Sequence, residues 1–137
     1  MFDARLRPLI DPPLTRAGAV LWRWGVSANR VTMAGLIAAL LAAAAIALQA
    51  FWIALAFIVA SRLLDGLDGA VARHSAPTDL GGYVDTVSDY VFYAGIPLGF
   101  AFACPLDNAL PAAALLATFV MTCSSFLAFA LLAAKRG

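Results

Sequence analysis

Residues 65–89 read DGLDGAVARHSAPTDLGGYVDTVSD, and the rest of the chain has to be folded around them. This stretch of 25 residues holds five of the chain's eight aspartates. Asp65 and Asp68 are three apart and Asp85 and Asp89 four apart, so each pair falls on one face of a helix. Ser75, Ala76 and Pro77 read as a turn between the two faces. It folds the second back on the first, and all four carboxylates are expected to converge. Asp79, at the end of that turn, reads as the cap of the returning helix.

The surroundings are unusually apolar. Of 137 residues, 64% are hydrophobic and only 12% charged, with a mean hydropathy of +0.90. Soluble domains are about half apolar and a quarter charged. Soluble, disordered and nucleic-acid-binding classes are therefore excluded, and no nucleic-acid partner is expected; the partner is a lipid bilayer. Between Val31 and Ser61 there is no charged residue, and between Tyr90 and Ala134 only Asp107. A spanning helix needs about 20 apolar residues. The chain thus reads as one all-α domain over 1–137, a polytopic transmembrane helix bundle. Four spans are expected at about 31–48, 51–73, 80–103 and 109–133, with Gln49-Ala50 as a tight turn between the first two.

Residues 1–30 read as an interfacial helical segment, with Leu14, Val20, Leu21, Trp22 and Trp24 set among arginines. Pro8, Pro12 and Pro13 are expected to break any long helix there. No secretory signal is expected, because no long apolar core with a small-residue cleavage site is present. Arg5, Arg7, Arg16, Arg23 and Arg30 precede the first span, Arg73 follows the second, and Lys135-Arg136 follow the fourth. The positive-inside rule then places both termini, and the aspartates with the Arg73 loop, on the cytoplasmic side of the inner or plasma membrane. Cys104 and Cys123 lie roughly 28 Å apart along a helix, too far for a disulfide.

Aspartates in such a setting need a reason. One near a helix centre costs roughly 2.5–3.5 kcal/mol on insertion scales, and neighbouring carboxylates repel. Arg62 and Arg73 cannot neutralise four of them. A divalent cation can, and an all-carboxylate oxygen site suits Mg²⁺ or Mn²⁺. The glycines point to a second ligand. Gly66 and Gly69 cost helix stability but clear space beside the carboxylates for a diphosphate, with Arg73 as its charged partner. Gly81 and Gly82 either do the same or allow close helix packing. Gly95 and Gly99 form a small-residue packing pair, a candidate face for a homodimer. His74 reads as a solvated loop residue.

Written as a pattern, Asp65-x2-Asp68-Gly69-x2-Ala72-Arg73-x7-Gly81-x3-Asp85-x3-Asp89 resembles the signature of the CDP-alcohol phosphatidyltransferases, integral membrane enzymes of phospholipid synthesis. The resemblance implies transfer of a phosphatidyl group from CDP-diacylglycerol to an alcohol acceptor, with release of CMP. It implies that Asp65, Asp68, Asp85 and Asp89 bind the divalent metal, and that Asp89 is also the general base. Gly69, Arg73 and Thr78 would contact the donor's nucleotide-diphosphate. Asn29 and Thr32 resemble the family's N-x-x-T element on the same substrate, although Ala28 stands where a proline is common. Asn29, or Ser27, reads equally as a helix cap. Family members usually carry about six spans, and the expectation here is four, without the last two. That leaves two other readings open: a catalytically inactive, truncated membrane subunit, and a small cation-handling membrane protein.

Overall fold

A computed structural model describes residues 3–74 and 78–136, with side chains from Asp11 onward. The described residues form five α-helices: α1 (Asp3–Arg23), α2 (Ala28–Ala47), α3 (Phe51–Ala72), α4 (Asp79–Ala103) and α5 (Pro105–Arg136). Four of these match the expected spans to within a few residues. The turn read at Ser75-Ala76-Pro77 lies outside the described residues.

The molecule is organised around α2, which packs against both α3 and α4. Its buried residues are Val31, Thr32, Gly35, Ala38, Ala39, Ala42, Ala45 and Ile46. These recur at helical spacing and are nearly all small, so neighbouring backbones approach closely. A Cβ on Gly35 would stand 3.4 Å from Leu64 Cβ of α3. On the other side, a Cβ on Gly99 of α4 would meet the Ala43 carbonyl at 2.7 Å and Ile46 Cβ at 3.1 Å. Gly95 also faces Ala43. The Gly95–Gly99 face is therefore used inside the chain and is not free for a second protomer.

The α1–α2 and α2–α3 turns are tight and of one type. Trp24 and Gly25 end α1, with Gly25 at φ 77° and Val26 N–H donating to Leu21 O at 3.0 Å. That is a Schellman closure with glycine in the left-handed position. The α2–α3 turn closes the same way, Ala50 N–H donating to Ala45 O at 2.8 Å. Here Gln49 takes the left-handed position, at φ 59°. Its side chain explains why glycine is not used: Gln49 Nε2 donates to Ala103 O at 2.8 Å, capping the C-terminal end of α4.

Helix α1 runs unbroken through Pro12 and Pro13, contrary to the expectation from its prolines. Both prolines are exposed, so neither ring has to be accommodated in a packed interior. The helix is fastened to α3 by glycine contacts. A Cβ on Gly18 would meet Ala70 Cβ at 2.7 Å, and one on Gly66 would meet Leu14 Cδ1 at 3.3 Å. His74 is exposed in the turn after α3, as expected of a solvated loop residue, and Trp22 of α1 stacks on it with ring centroids 5.7 Å apart.

By length and composition, α2 and α5 are each apolar enough to cross a membrane. Helices α3 and α4 carry their charges at one end: Arg62, Asp65 and Asp68 late in α3, Asp79, Asp85 and Asp89 early in α4. Helix α5 packs on α4, through contacts such as Tyr93 with Phe119, centroids 5.1 Å apart. The rest of its surface shows Leu106, Leu110, Phe126 and Phe129, as a lipid-facing helix would.

Candidate active site

Because α2, α3 and α4 alternate in direction, the start of α2, the end of α3 and the start of α4 meet at one end of the bundle. A cavity of about 410 Å³ opens there. It is lined by Asn29 and Thr32 from α2, Asp68 and Gly69 from α3, and Thr78 and Asp85 at the head of α4. Six of the nine residues singled out in the sequence thus share one cavity.

Each reaches it for a local reason. Thr78 is the N-cap of α4, and its Oγ1 accepts from Gly81 N–H at 3.0 Å. This displaces Asp79 from the expected capping role. Asp79 sits one position inside the helix, and the Thr78 hydroxyl still has a proton to donate into the cavity. Ser27 is the N-cap of α2 but makes no side-chain capping bond. Asn29 therefore is not a cap; it faces Gly81, where an added Cβ would lie 3.1 Å from Asn29 Oδ1. Thr32 Oγ1 donates to Ala28 O at 3.1 Å. Gly69 and Gly82 both line the cavity, and a Cβ at either would meet nothing within 4 Å. Gly66, expected to do the same, is instead used up against Leu14.

The cavity is electrostatically two-sided. The N-terminal ends of α2 and α4 carry unsatisfied N–H groups and positive dipole ends, favourable to an anion. The carboxyl-bearing residues Asp68 and Asp85 line the same cavity. Asp68 is buried, and its Oδ2 has no hydrogen-bond partner.

Asp65 and Asp89 do not line this cavity themselves; both are bound, beside it, by Arg62. Its Nη1 donates to Asp89 Oδ1 at 3.1 Å and lies 3.7 Å from Asp65 Oδ2. The guanidinium also sits over the Phe92 ring, 3.9 Å from its centroid. The four carboxylates are gathered closely enough to act on one another, Asp65 lying near Asp85 and Asp89 and Asp68 near Asp65 and Asp85. Within that group one pair, Asp68 and Asp85, lines the cavity and the other, Asp65 and Asp89, shares Arg62. Among the described residues, no three His, Cys, Asp or Glu side chains stand together as a metal-binding group. The donor chemistry still fits a hard divalent cation, since all four candidate ligands are carboxylates and one carries an orphaned buried oxygen. Arg73 is the C-cap of α3 and exposed, outside the cavity lining. Sequence reasoning weighed Arg62 as a partial neutraliser of the aspartates but did not single it out as a site residue; its position three residues before Asp65 was the available signal.

Comparison with known proteins agrees with this geometry. The family model for CDP-alcohol phosphatidyltransferase matches residues 25–136. The chain is 46% identical over 135 residues to the inner membrane protein YnjF of Escherichia coli, an alignment covering 98% of this chain and 66% of that protein. It is 33% identical over 99 residues to the archaetidylinositol phosphate synthase of Pyrococcus horikoshii, covering 72% of this chain and 53% of that one. The chain thus spans between half and two thirds of the length of these relatives. No solved structure matches it. With the signature residues gathered at one end of a helical bundle and the family model covering most of the chain, this protein belongs to the CDP-alcohol phosphatidyltransferase family.

Proposed function

We propose that this chain transfers the phosphatidyl group of CDP-diacylglycerol to an alcohol acceptor, releasing CMP. The observation that carries the reading is the shared cavity, in which Asn29, Thr32, Asp68, Gly69, Thr78 and Asp85 line one space. The family acts on CDP-alcohols and generally uses divalent metal ions.

The donor's diphosphate lies between the N-termini of α2 and α4, where uncapped N–H groups and dipoles stabilise its charge. The bare backbones of Gly69 and Gly82 let it approach, and Asn29, Thr32 and Thr78 offer hydrogen bonds to the nucleotide side. Arg73, one position beyond the end of α3, reaches the same phosphates from outside as a charge-assisted donor. Asp65, Asp68, Asp85 and Asp89 would hold Mg²⁺ or Mn²⁺. Such an ion neutralises charge on the diphosphate and on the CMP leaving group.

Asp89 accepts the proton of the acceptor hydroxyl as the acceptor oxygen bonds to the β-phosphorus and the bond to CMP breaks. Carboxylates are weak bases, so the rate depends on placing the hydroxyl in line more than on basicity. Arg62 holds Asp89 for this. We further propose that α2, α3, α4 and α5 all cross the inner membrane with the cavity on the cytoplasmic side. The lipid tails then stay in the bilayer while the head group enters the cavity.

CMP release from CDP-diacylglycerol in mixed micelles, with Mn²⁺ or Mg²⁺ and a panel of alcohols, tests the reading. Metal-dependent release with one acceptor, reduced at least about a hundredfold by Asp89→Asn, is the expected result. Release at an equal rate in Asp89→Asn would remove Asp89 from the chemistry. No release from folded protein with any acceptor would overturn the activity.

A further inference from the structure

Behind the cavity is a second, much smaller void of about 10 Å³, lined by Thr32, Gly35, Ser61, Arg62, Asp65, Asp68 and Ser88. Three of these seven residues carry a buried side-chain polar atom with no hydrogen-bond partner: Ser61 Oγ, Arg62 Nε and Asp68 Oδ2. Ser61 is 1% exposed and Asp68 6%. A buried polar group without a partner is costly, and most such groups in folded proteins are satisfied by protein or by ordered water. Three lining one space call for a common partner.

Their chemistry identifies it. Arg62 Nε–H only donates, an ionised carboxylate oxygen only accepts, and a hydroxyl does both. The partner must accept from the guanidinium and donate to the carboxylate. A metal ion cannot accept a hydrogen bond and a halide cannot donate one. Water does both, needs two to four polar partners, and fits a space of roughly this size.

We propose that this void holds one ordered water, bonded to Ser61 Oγ, Arg62 Nε and Asp68 Oδ2. The water joins the two carboxylate pairs: Asp68 on the cavity wall is linked through it to Arg62, which clasps Asp65 and Asp89. A carboxylate oxygen has two lone pairs, so Asp68 can face a cation on the cavity side and the water behind it. Ser61 becomes a positioning residue, reaching the site only through the water.

Two substitutions give opposite signs for a wet and a dry void. Ser61→Ala removes one arm of a bound water and is expected to lower the melting temperature of the detergent-purified chain by a few degrees. In a dry void it deletes an unpartnered buried hydroxyl, and the melting temperature stays or rises. Ser61→Val displaces the water and leaves Arg62 Nε and Asp68 Oδ2 bare, so it is expected to lower the melting temperature further than Ser61→Ala. An unchanged or raised value for Ser61→Ala overturns the proposal, whatever Ser61→Val does through overpacking. An experimental structure that resolves ordered water should show one density within hydrogen-bond distance of all three atoms. An empty void, or an ion in it, overturns the proposal as well.

Discussion

Arg62 is half-buried, 3.1 Å from Asp89, 3.7 Å from Asp65 and stacked on Phe92. At the scale of single residues this clasp and the bare glycines of the cavity separate what serves the fold from what serves the ligand. Gly66 and Gly69 are three apart and look alike in the sequence. In the structure one meets Leu14 of α1 and the other meets nothing, because which neighbouring helix covers which part of a face is a tertiary fact. The difference is testable. Gly69→Ala places its methyl in open space inside a helix, so stability should hold or rise by up to about 1 kcal/mol. CMP release should nevertheless fall about tenfold or more, because the diphosphate can no longer approach the backbone. Thermal melts and the release assay on the same preparation check this; unchanged turnover would mean that Gly69 is not at the ligand. The roles of Thr78 and Asp79 were also beyond spacing alone, since both are good caps and only the chain's path into α4 selects Thr78.

At the scale of elements, the four long helices were legible because charge is absent where they run and concentrated where they end. The i,i+3 and i,i+4 aspartates fixed which ends meet. The continuity of α1 was not legible, because proline's cost depends on whether its ring must fit a packed interior, and that depends on what surrounds it. Nor was Gln49, whose left-handed backbone is explained only by Ala103, 54 residues away. A non-glycine residue in this region costs about 1 kcal/mol, and a hydrogen bond returns a similar amount. Gln49→Ala keeps the strain and loses the bond, so it should destabilise by about 1 kcal/mol. Gln49→Gly loses the bond and the strain together and should be nearly neutral. Chemical denaturation of the pair would show a gap between them; equal stabilities would mean that the left-handed turn is not populated.

At the scale of the whole molecule, the cavity sits at one end of the bundle and the α4–α5 junction at the other. The proposed orientation, argued from the positive-inside rule, has the first in the cytoplasm and the second outside. A cysteine at His74 in a Cys104→Ala background should be protected from a membrane-impermeant maleimide in intact cells, and native Cys104 should be reached. Cys104 will react slowly even so, since its thiol donates to Asp107 Oδ2 at 3.0 Å and this hydrogen bond raises its pKa. Asp107→Asn should speed the reaction at neutral pH by freeing the thiolate. Labelling of both positions from the same side would contradict the four-span arrangement.

The central claim is that the space between α2, α3 and α4 is where CDP-diacylglycerol binds. Gly82 lines that space, and a side chain added there meets nothing within 4 Å. The most direct measurement is the maleimide-labelling rate of Gly82→Cys, in a chain with Cys104 and Cys123 replaced by Ala, with and without CDP-diacylglycerol and Mg²⁺. Labelling slowed by donor and metal together, and not by diacylglycerol alone, is the predicted result. A rate indifferent to the donor, in protein that still melts cooperatively, would contradict it.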